Sequence, residues 1–303
     1  MMQGRHTLLD YIFFLRPVLL PPVWTIALLG TVRSGIAHKM PIGLWFVFLV
    51  HLAALFGGVY TLNQICDVET DRANKKLHFL PEAIISITAA WRFTIALDAI
   101  ALSLSVVFGW LYLMLSAFIV ILGILYSAGS SPWKNNAFLG LISNTLGHGM
   151  IVYLFGFLVT DCPVSESWPS LAAYTLAVGA VYLATTVPDL YGDRRSGKAT
   201  AAVVWGVRPT LIVAMIMAAM AVGVAALSSD DYLTLAGLAA MPFFLYAPFR
   251  PDMATVAAKV AVAALSIAAA VAYPMYAILL IVGFLGTRLF FRWRFGISYP
   301  TFV

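Results

Sequence analysis

Nine apolar runs, each near the length a helix needs to cross a bilayer and joined by short polar connections, leave this 303-residue chain little freedom of fold. A hydrocarbon core about 30 Å thick takes roughly 20 residues of helix, and with no water inside it every backbone amide must be satisfied within the segment. The runs fall near Tyr11 to Ser34, Gly43 to Cys66, Trp91 to Phe108, Trp110 to Tyr126, Ala137 to Val159, Leu171 to Pro188, Thr210 to Leu227, Tyr232 to Phe249 and Val256 to Phe290. Arg16-Pro17 and Pro21-Pro22 put a bend early in the first run, and the last is long enough to contain a break at Tyr273-Pro274. Charged residues make up 10% of the chain and the mean hydropathy is +0.94, against about 25% charge in soluble domains. The expectation is an all-α, polytopic membrane protein of about nine transmembrane helices, one domain over residues 1–303 with no separate soluble part.

A pI near 9.2 invites nucleic acid as a partner, but the bases are scattered through membrane loops, where they act as topology signals. No nucleic-acid role is expected. The segment Met1 to Asp10 lacks the small-residue cleavage pattern of a signal peptide. With a cytoplasmic N-terminus and nine spans, 13 of the 18 Lys and Arg collect on the cytoplasmic side. The termini then lie on opposite sides, and the basic cluster Arg288, Arg292 and Arg294 falls on the outer face against the rule. In this topology Cys66 and Cys162 also fall on opposite faces, which argues against a disulfide between them.

Charge is concentrated where the second run ends. Asn63, Asp67 and Asp71 are each four residues apart, and at about 100° per residue a helix turns only about 40° beyond a full circle between them. They form one polar ladder. Two carboxylates roughly 6 Å apart repel by about 3 kcal/mol at an effective dielectric near 20, and a divalent cation converts that repulsion into binding. Glu69 lies on the other side of the helix and is expected to pair with Arg72 or Lys76. A second ladder, Asp189 and Asp193, ends the sixth run, again followed by bases: Arg194, Arg195 and Lys198. Both emerge on the cytoplasmic face and read as two halves of one site, repeated once in each half of the chain, at about residues 11–130 and 137–290. Hard oxygen ligands of this kind suit Mg²⁺, which binds through one or two carboxylates, water and substrate phosphate oxygens. The implied substrate is a diphosphate.

The pattern Asn63-x-x-x-Asp67-x-x-x-Asp71 followed by Arg72-x-Asn74-Lys75, with Asp189-x-x-Gly192-Asp193-x-x-x-Gly197 and Thr200, resembles the UbiA superfamily of intramembrane prenyltransferases. Arg16-Pro17 in the first helix and Tyr126-Ser127 ahead of Lys134 support the likeness, which covers nearly the whole chain. The resemblance implies a helical bundle around a central cavity open sideways to membrane lipids. Asp67, Asp71, Asp189 and Asp193, with Asn63, would hold two Mg²⁺ ions on the diphosphate of a polyprenyl donor. Arg16, Lys75, Tyr126, Lys134 and Lys198 would meet the departing diphosphate. The leading activity is prenyl transfer to an aromatic or lipid acceptor. The alternative is a UbiA-type terpene cyclase, in which the substrate's own double bonds capture the cation. A non-enzymatic transporter fits less well, because it has no use for basic loops beside both ladders.

Three departures from the family pattern point away from a standard quinone-ring or chlorophyll-type acceptor. Gln64 stands where many members carry Asp; Lys76-Leu77-His78-Phe79 replaces a proline followed by Arg-Pro; and the turn after Tyr126-Ser127 lacks a double proline. His51, Asn144 and His148 lie inside apolar runs, where polar groups are costly and often functional. Asn144 and His148 share a helix face beside Gly147 and Gly149 and are candidates for the acceptor pocket, with an interhelical hydrogen bond as the competing explanation.

Overall fold

A computed structural model describes residues 7–35, 40–73, 78–159 and 167–300. Among them the chain forms helices and no strand. The first run is α1 (Leu8–Phe14), a 3-10 turn at Pro17–Leu19 and α2 (Leu20–Arg33). Next come α3 (Ile42–Cys66), the short α4 (Val68–Ala73), α5 (Ile87–Ser105) and α6 (Trp110–Ser127). After a 3-10 turn at Trp133–Asn135, α7 (Ala137–Asn144), a π-helical turn (Thr145–Ile151) and α8 (Val152–Phe157) form one continuous segment. Then follow α9 (Trp168–Thr186), the short α10 (Leu190–Arg195), α11 (Ala201–Val204), α12 (Val207–Leu227), α13 (Asp231–Tyr246), α14 (Met253–Ala272) and α15 (Pro274–Phe295).

The bend in the first run has a specific cause. Arg16 adopts a left-handed backbone (φ 59°, ψ 60°) that no further turn of α1 can follow, and Pro17 behind it disfavours the helical region for the residue it follows. The far end of α1 is closed by a capping box between Thr7 and Asp10.

Eight helical segments are long and apolar enough to cross a membrane, and α9 (19 residues) and α13 (16 residues) bring the apolar segments among the described residues to ten. The count exceeds nine because the Val256–Phe290 run is two helices: Pro274 is the first residue of α15, and each of α14 and α15 is of spanning length. The consequence corrects the expected topology. Arg294, near the end of α15, pairs with Asp10 at the start of α1 (Nε to Oδ1 3.0 Å), so the start of α1 and the end of α15 lie on one side.

Two compact units make up the chain: residues 1–21, 41–124 and 273–303 in the first, and residues 22–40 and 125–272 in the second. In the first, α3 packs along α5, with Thr61 and Thr94 joined by a 2.8 Å hydroxyl–hydroxyl bond. Gly58 makes room for the Asp98 carboxylate, which a Cβ at that position would strike. His51 is buried, 3.1 Å from Ser116 Oγ and 3.3 Å from Tyr112 OH, so this histidine ties α3 to α6. In the second unit α9 is central, packed by α12, α14 and the π-helical turn. Gly149 brings that turn against the backbone of α9, since a Cβ there would lie 2.8 Å from Thr175 Cα. Close backbone approach through small residues is the usual way helices associate in lipid.

Candidate functional site

The two acidic ladders share one construction. α3 stops at Cys66, Asp67 leaves the helical region (φ −101°, ψ 7°), and six-residue α4 carries Asp71. Backbone bonds nevertheless continue through the break, from Asp67 N–H to Asn63 O (3.0 Å) and from Asp71 N–H to Asp67 O (2.8 Å), so the i,i+4 spacing survives. The second ladder repeats this: α9 stops at Thr186, Asp189 precedes six-residue α10, and Asp193 N–H donates to Asp189 O (2.9 Å). Asn63, Asp67, Asp71 and Asp193 are half-buried, and Asp189 is exposed.

Around the first ladder, Glu69 pairs with Arg72 through both carboxylate oxygens (2.9 and 3.0 Å), as its position on the helix implied, and Arg72 Nε donates to Pro81 O (3.3 Å). Lys75 lies outside the described residues. Gln64 is only 2% exposed, and its amide donates to Phe14 O (2.9 Å) and Tyr60 O (3.1 Å). It thereby satisfies a carbonyl left over where α1 ends, a task no carboxylate can perform because a carboxylate has no N–H. Arg16 lines a small pocket with Gln64, Phe79 and Phe291, and its Nε is buried without a hydrogen-bond partner. Cys66, the last residue of α3, is exposed.

Around the second ladder the bonds are polar and local. Thr200 Oγ1 donates to Asp193 Oδ2 (3.0 Å), and Lys198 N–H donates to Asp193 O (2.9 Å). Ala199 N–H donates to Asn135 O (3.0 Å), and a parallel bridge joins Ala199 to Asn136. This stitches the loop carrying Lys198 to the turn carrying Lys134, which is only 8% exposed despite its charge. Gly197 takes φ 70°, which allows the chain to turn back after α10. Tyr182, one turn before the end of α9, lies in the electrostatic field of both Tyr126 and Asp193.

A cavity of about 250 Å³ runs along α9 from Tyr174 to Thr185 and is walled by α12, α13 and α14. The stretch of α9 that it follows, from Tyr174 to Thr185, is roughly 16 Å of helix, and Thr185 is four residues from Asp189. The walls are mostly small or aliphatic, including Ala177, Ala218 and Ala236. Asn144 and His148 both line it, and Asn144 Nδ2 also donates to Gly140 O (2.9 Å) within its own helix. The π-helical turn that follows Asn144 and carries His148 was not legible in the sequence, although such turns frequently mark functional sites.

The donor set fits magnesium. Each ladder offers two hard carboxylates at a helix end, and among the described residues no group of three His, Cys, Asp or Glu side chains is placed to hold a metal ion by itself. Carboxylate oxygens are the ligand type Mg²⁺ takes, alongside water and the oxygens of a phosphorylated substrate.

The profile of the UbiA prenyltransferase family matches residues 19–252. The chain belongs to this family. It is 28% identical over 177 residues to digeranylgeranylglyceryl phosphate synthase of Sulfolobus acidocaldarius, covering 57% of this chain and 62% of that protein. It is 30% identical over 185 residues to homogentisate phytyltransferase of Synechocystis sp., covering 57% of this chain and 59% of the relative. The match thus spans about three-fifths of each relative's length. A solved structure of a UbiA homologue from Archaeoglobus fulgidus bound to DMAPP and Mg²⁺ shares the fold, with a TM-score of 0.66 at 17% identity over 90% of this chain and 99% of that one.

Proposed function

We propose that this UbiA-family chain is a Mg²⁺-dependent intramembrane prenyltransferase that ionises a polyprenyl diphosphate and passes the allyl group to an aromatic or lipid acceptor. The observation that carries this reading is the repeated break-and-ladder construction, which sets four aspartates at helix ends in a chain of this family. The relatives named for prenyl transfer to a lipid and to homogentisate support it, as does the homologue that binds DMAPP with Mg²⁺.

In this reading Asp67, Asp71, Asp189 and Asp193 hold two magnesium ions, with Asn63 adding a neutral oxygen. When bound, the metal neutralises charge on the diphosphate oxygens. The chain's own residues do the rest. Arg16, Lys75, Lys134 and Lys198 present fixed positive charge, and Tyr126 a hydroxyl donor, to the oxygen that receives the electron pair as the allylic C–O bond breaks. Arg16 arrives with an unsatisfied buried N–H, as an anion-binding side chain requires. The cavity along α9 takes the isoprenoid tail, and its scarcity of polar groups keeps water from the allyl cation. The acceptor supplies the electron pair that closes the new bond and releases a proton. Asn144 and His148 border this space and contact the acceptor.

With α9 and α13 crossing the membrane beside the other eight segments, a cytoplasmic N-terminus leaves only Arg33 and Lys39 on the outer side among the 18 Lys and Arg residues. Both ladders then face the cytoplasm, where diphosphates and magnesium are available.

The test uses purified protein in detergent with Mg²⁺ and geranyl, farnesyl or geranylgeranyl diphosphate, following pyrophosphate release and products by mass spectrometry. Turnover that depends on an added lipid or phenolic acceptor is expected. Cyclic terpene formed without any acceptor would replace transfer with cyclisation, and the absence of Mg²⁺-dependent pyrophosphate release from every donor would overturn the reading.

A further inference from the structure

α15 lies wholly beyond the residues that match the family, 19–252, and it runs beside the part of the chain that carries the first ladder. It is fastened at both ends. Near its start, Tyr276 OH donates to Pro21 O (2.9 Å); near its finish, Arg294 binds both carboxylate oxygens of Asp10 (3.0 and 3.2 Å), and Asp10 is fully buried. An arginine fork on a buried carboxylate is a strong and geometrically specific contact.

Between these fastenings the contact is aromatic. Phe290 stacks on Phe13 with centroids 4.0 Å apart and planes 12° from parallel, and Phe290 and Phe291 both lie against Phe79, in the loop that follows the first ladder. Val68, the residue directly after Asp67, belongs to this same buried cluster. The first turn of α4 is therefore seated on a surface that α15 helps to build. Phe291 also borders the pocket around Arg16.

We infer that α15 is a positioning brace for the first metal-holding turn: Phe290, Phe291 and Arg294 act through Val68, Phe79 and Asp10 to hold Asp67, Asp71 and Arg16 in place. The metal-holding role of that turn rests on the function proposed above, whereas the bracing itself does not. Alternative duties are less well supported by the contacts. A helix recruited only to widen the membrane footprint needs no arginine fork on a buried carboxylate and no aromatic contacts with the ladder's own loop.

The experiment compares wild type with Phe291→Ala and Phe291→Leu, and with the charge-neutral double variant Asp10→Asn/Arg294→Met. Hydrogen–deuterium exchange is followed in full-length protein in detergent. Loss of the brace is expected to raise amide exchange over residues 67–73 by about tenfold while residues 190–195 stay within about twofold of wild type, because exchange reports local opening. Phe291→Leu restores most of the protection. In parallel, the Mg²⁺ concentration for half-maximal turnover rises several-fold in Phe291→Ala and much less in Phe291→Leu.

Unchanged exchange over residues 67–73 in folded Phe291→Ala and in the double variant would overturn the brace, and so would equal acceleration at both ladders. A wild type with no Mg²⁺-dependent turnover would defeat the proposed function instead, leaving the exchange result to decide the brace.

Discussion

The two ladders present the same local geometry on different foundations. Each has a long helix that ends one to three residues before the first aspartate and a six-residue helix carrying the second, with an i,i+4 backbone bond between the two aspartates. The second is held by hydrogen bonds from its own loop, where Thr200 grips the Asp193 carboxylate and a short bridge ties the loop to Asn136. The first is held by an aromatic cluster assembled from α1, the Phe79 loop and α15, more than 200 residues away in sequence. A hydroxyl on a carboxylate fixes one atom; a packed cluster fixes a whole turn but depends on distant segments. What the pair teaches is that the chemistry constrains the carboxylate spacing while the means of support is free to vary.

The sharpest way to break the equivalence is to remove one aspartate at a time. Asp67→Ala and Asp193→Ala are each expected to lower kcat by about a thousandfold, the scale of losing a principal electrostatic contact in the transition state. Membrane insertion and the thermal midpoint in detergent should remain near wild type. If one variant kept near-wild-type, Mg²⁺-dependent turnover, the two ladders would not be partners.

Thr200→Val tests the polar foundation alone. Removing one hydrogen bond to a carboxylate, worth about 1.5 kcal/mol, should cut kcat/KM about tenfold while leaving exchange over residues 67–73 unchanged. The matching change at the first ladder is Gln64→Asp, which replaces the buried amide with a carboxylate. Here it sets an acceptor against Phe14 O, so the expected result is a stability loss of about 1–3 kcal/mol, read as a lower thermal midpoint. An unchanged midpoint would show that α1 does not lean on α3 in this way. The smallest effects should lie away from both ladders: Asn144→Ala and His148→Ala are expected to change pyrophosphate release less than about threefold, while shifting which acceptors are prenylated.

Much of this architecture was legible in the sequence because it is local. Spacing alone put Asp67 and Asp71 on one face, Glu69 on the other beside Arg72, and a bend at Arg16-Pro17. What could not be read depends on which segments meet. A proline after a long apolar run marks a break, but whether the chain bends or doubles back is decided by what the second part packs against; here Asp10 receives Arg294. Gln64 looked like a departure from the family pattern, and only the position of the Phe14 carbonyl explains it. His51 had the same standing as His148 in the sequence, yet one binds Ser116 and Tyr112 inside the first unit and the other lines a cavity in the second. Polar residues in apolar helices announce that they have partners without naming them.

Cys66 closes α3 one residue before Asp67 and presents its thiol at the surface, so the chain carries a built-in reporter beside its first ladder. In a Cys162→Ser background, a small maleimide or a spin label at this position would follow cation and diphosphate arrival directly, as protection from alkylation or as narrowing of probe motion. Occupancy would become observable without turnover, and donors could be ranked by binding before any acceptor is known.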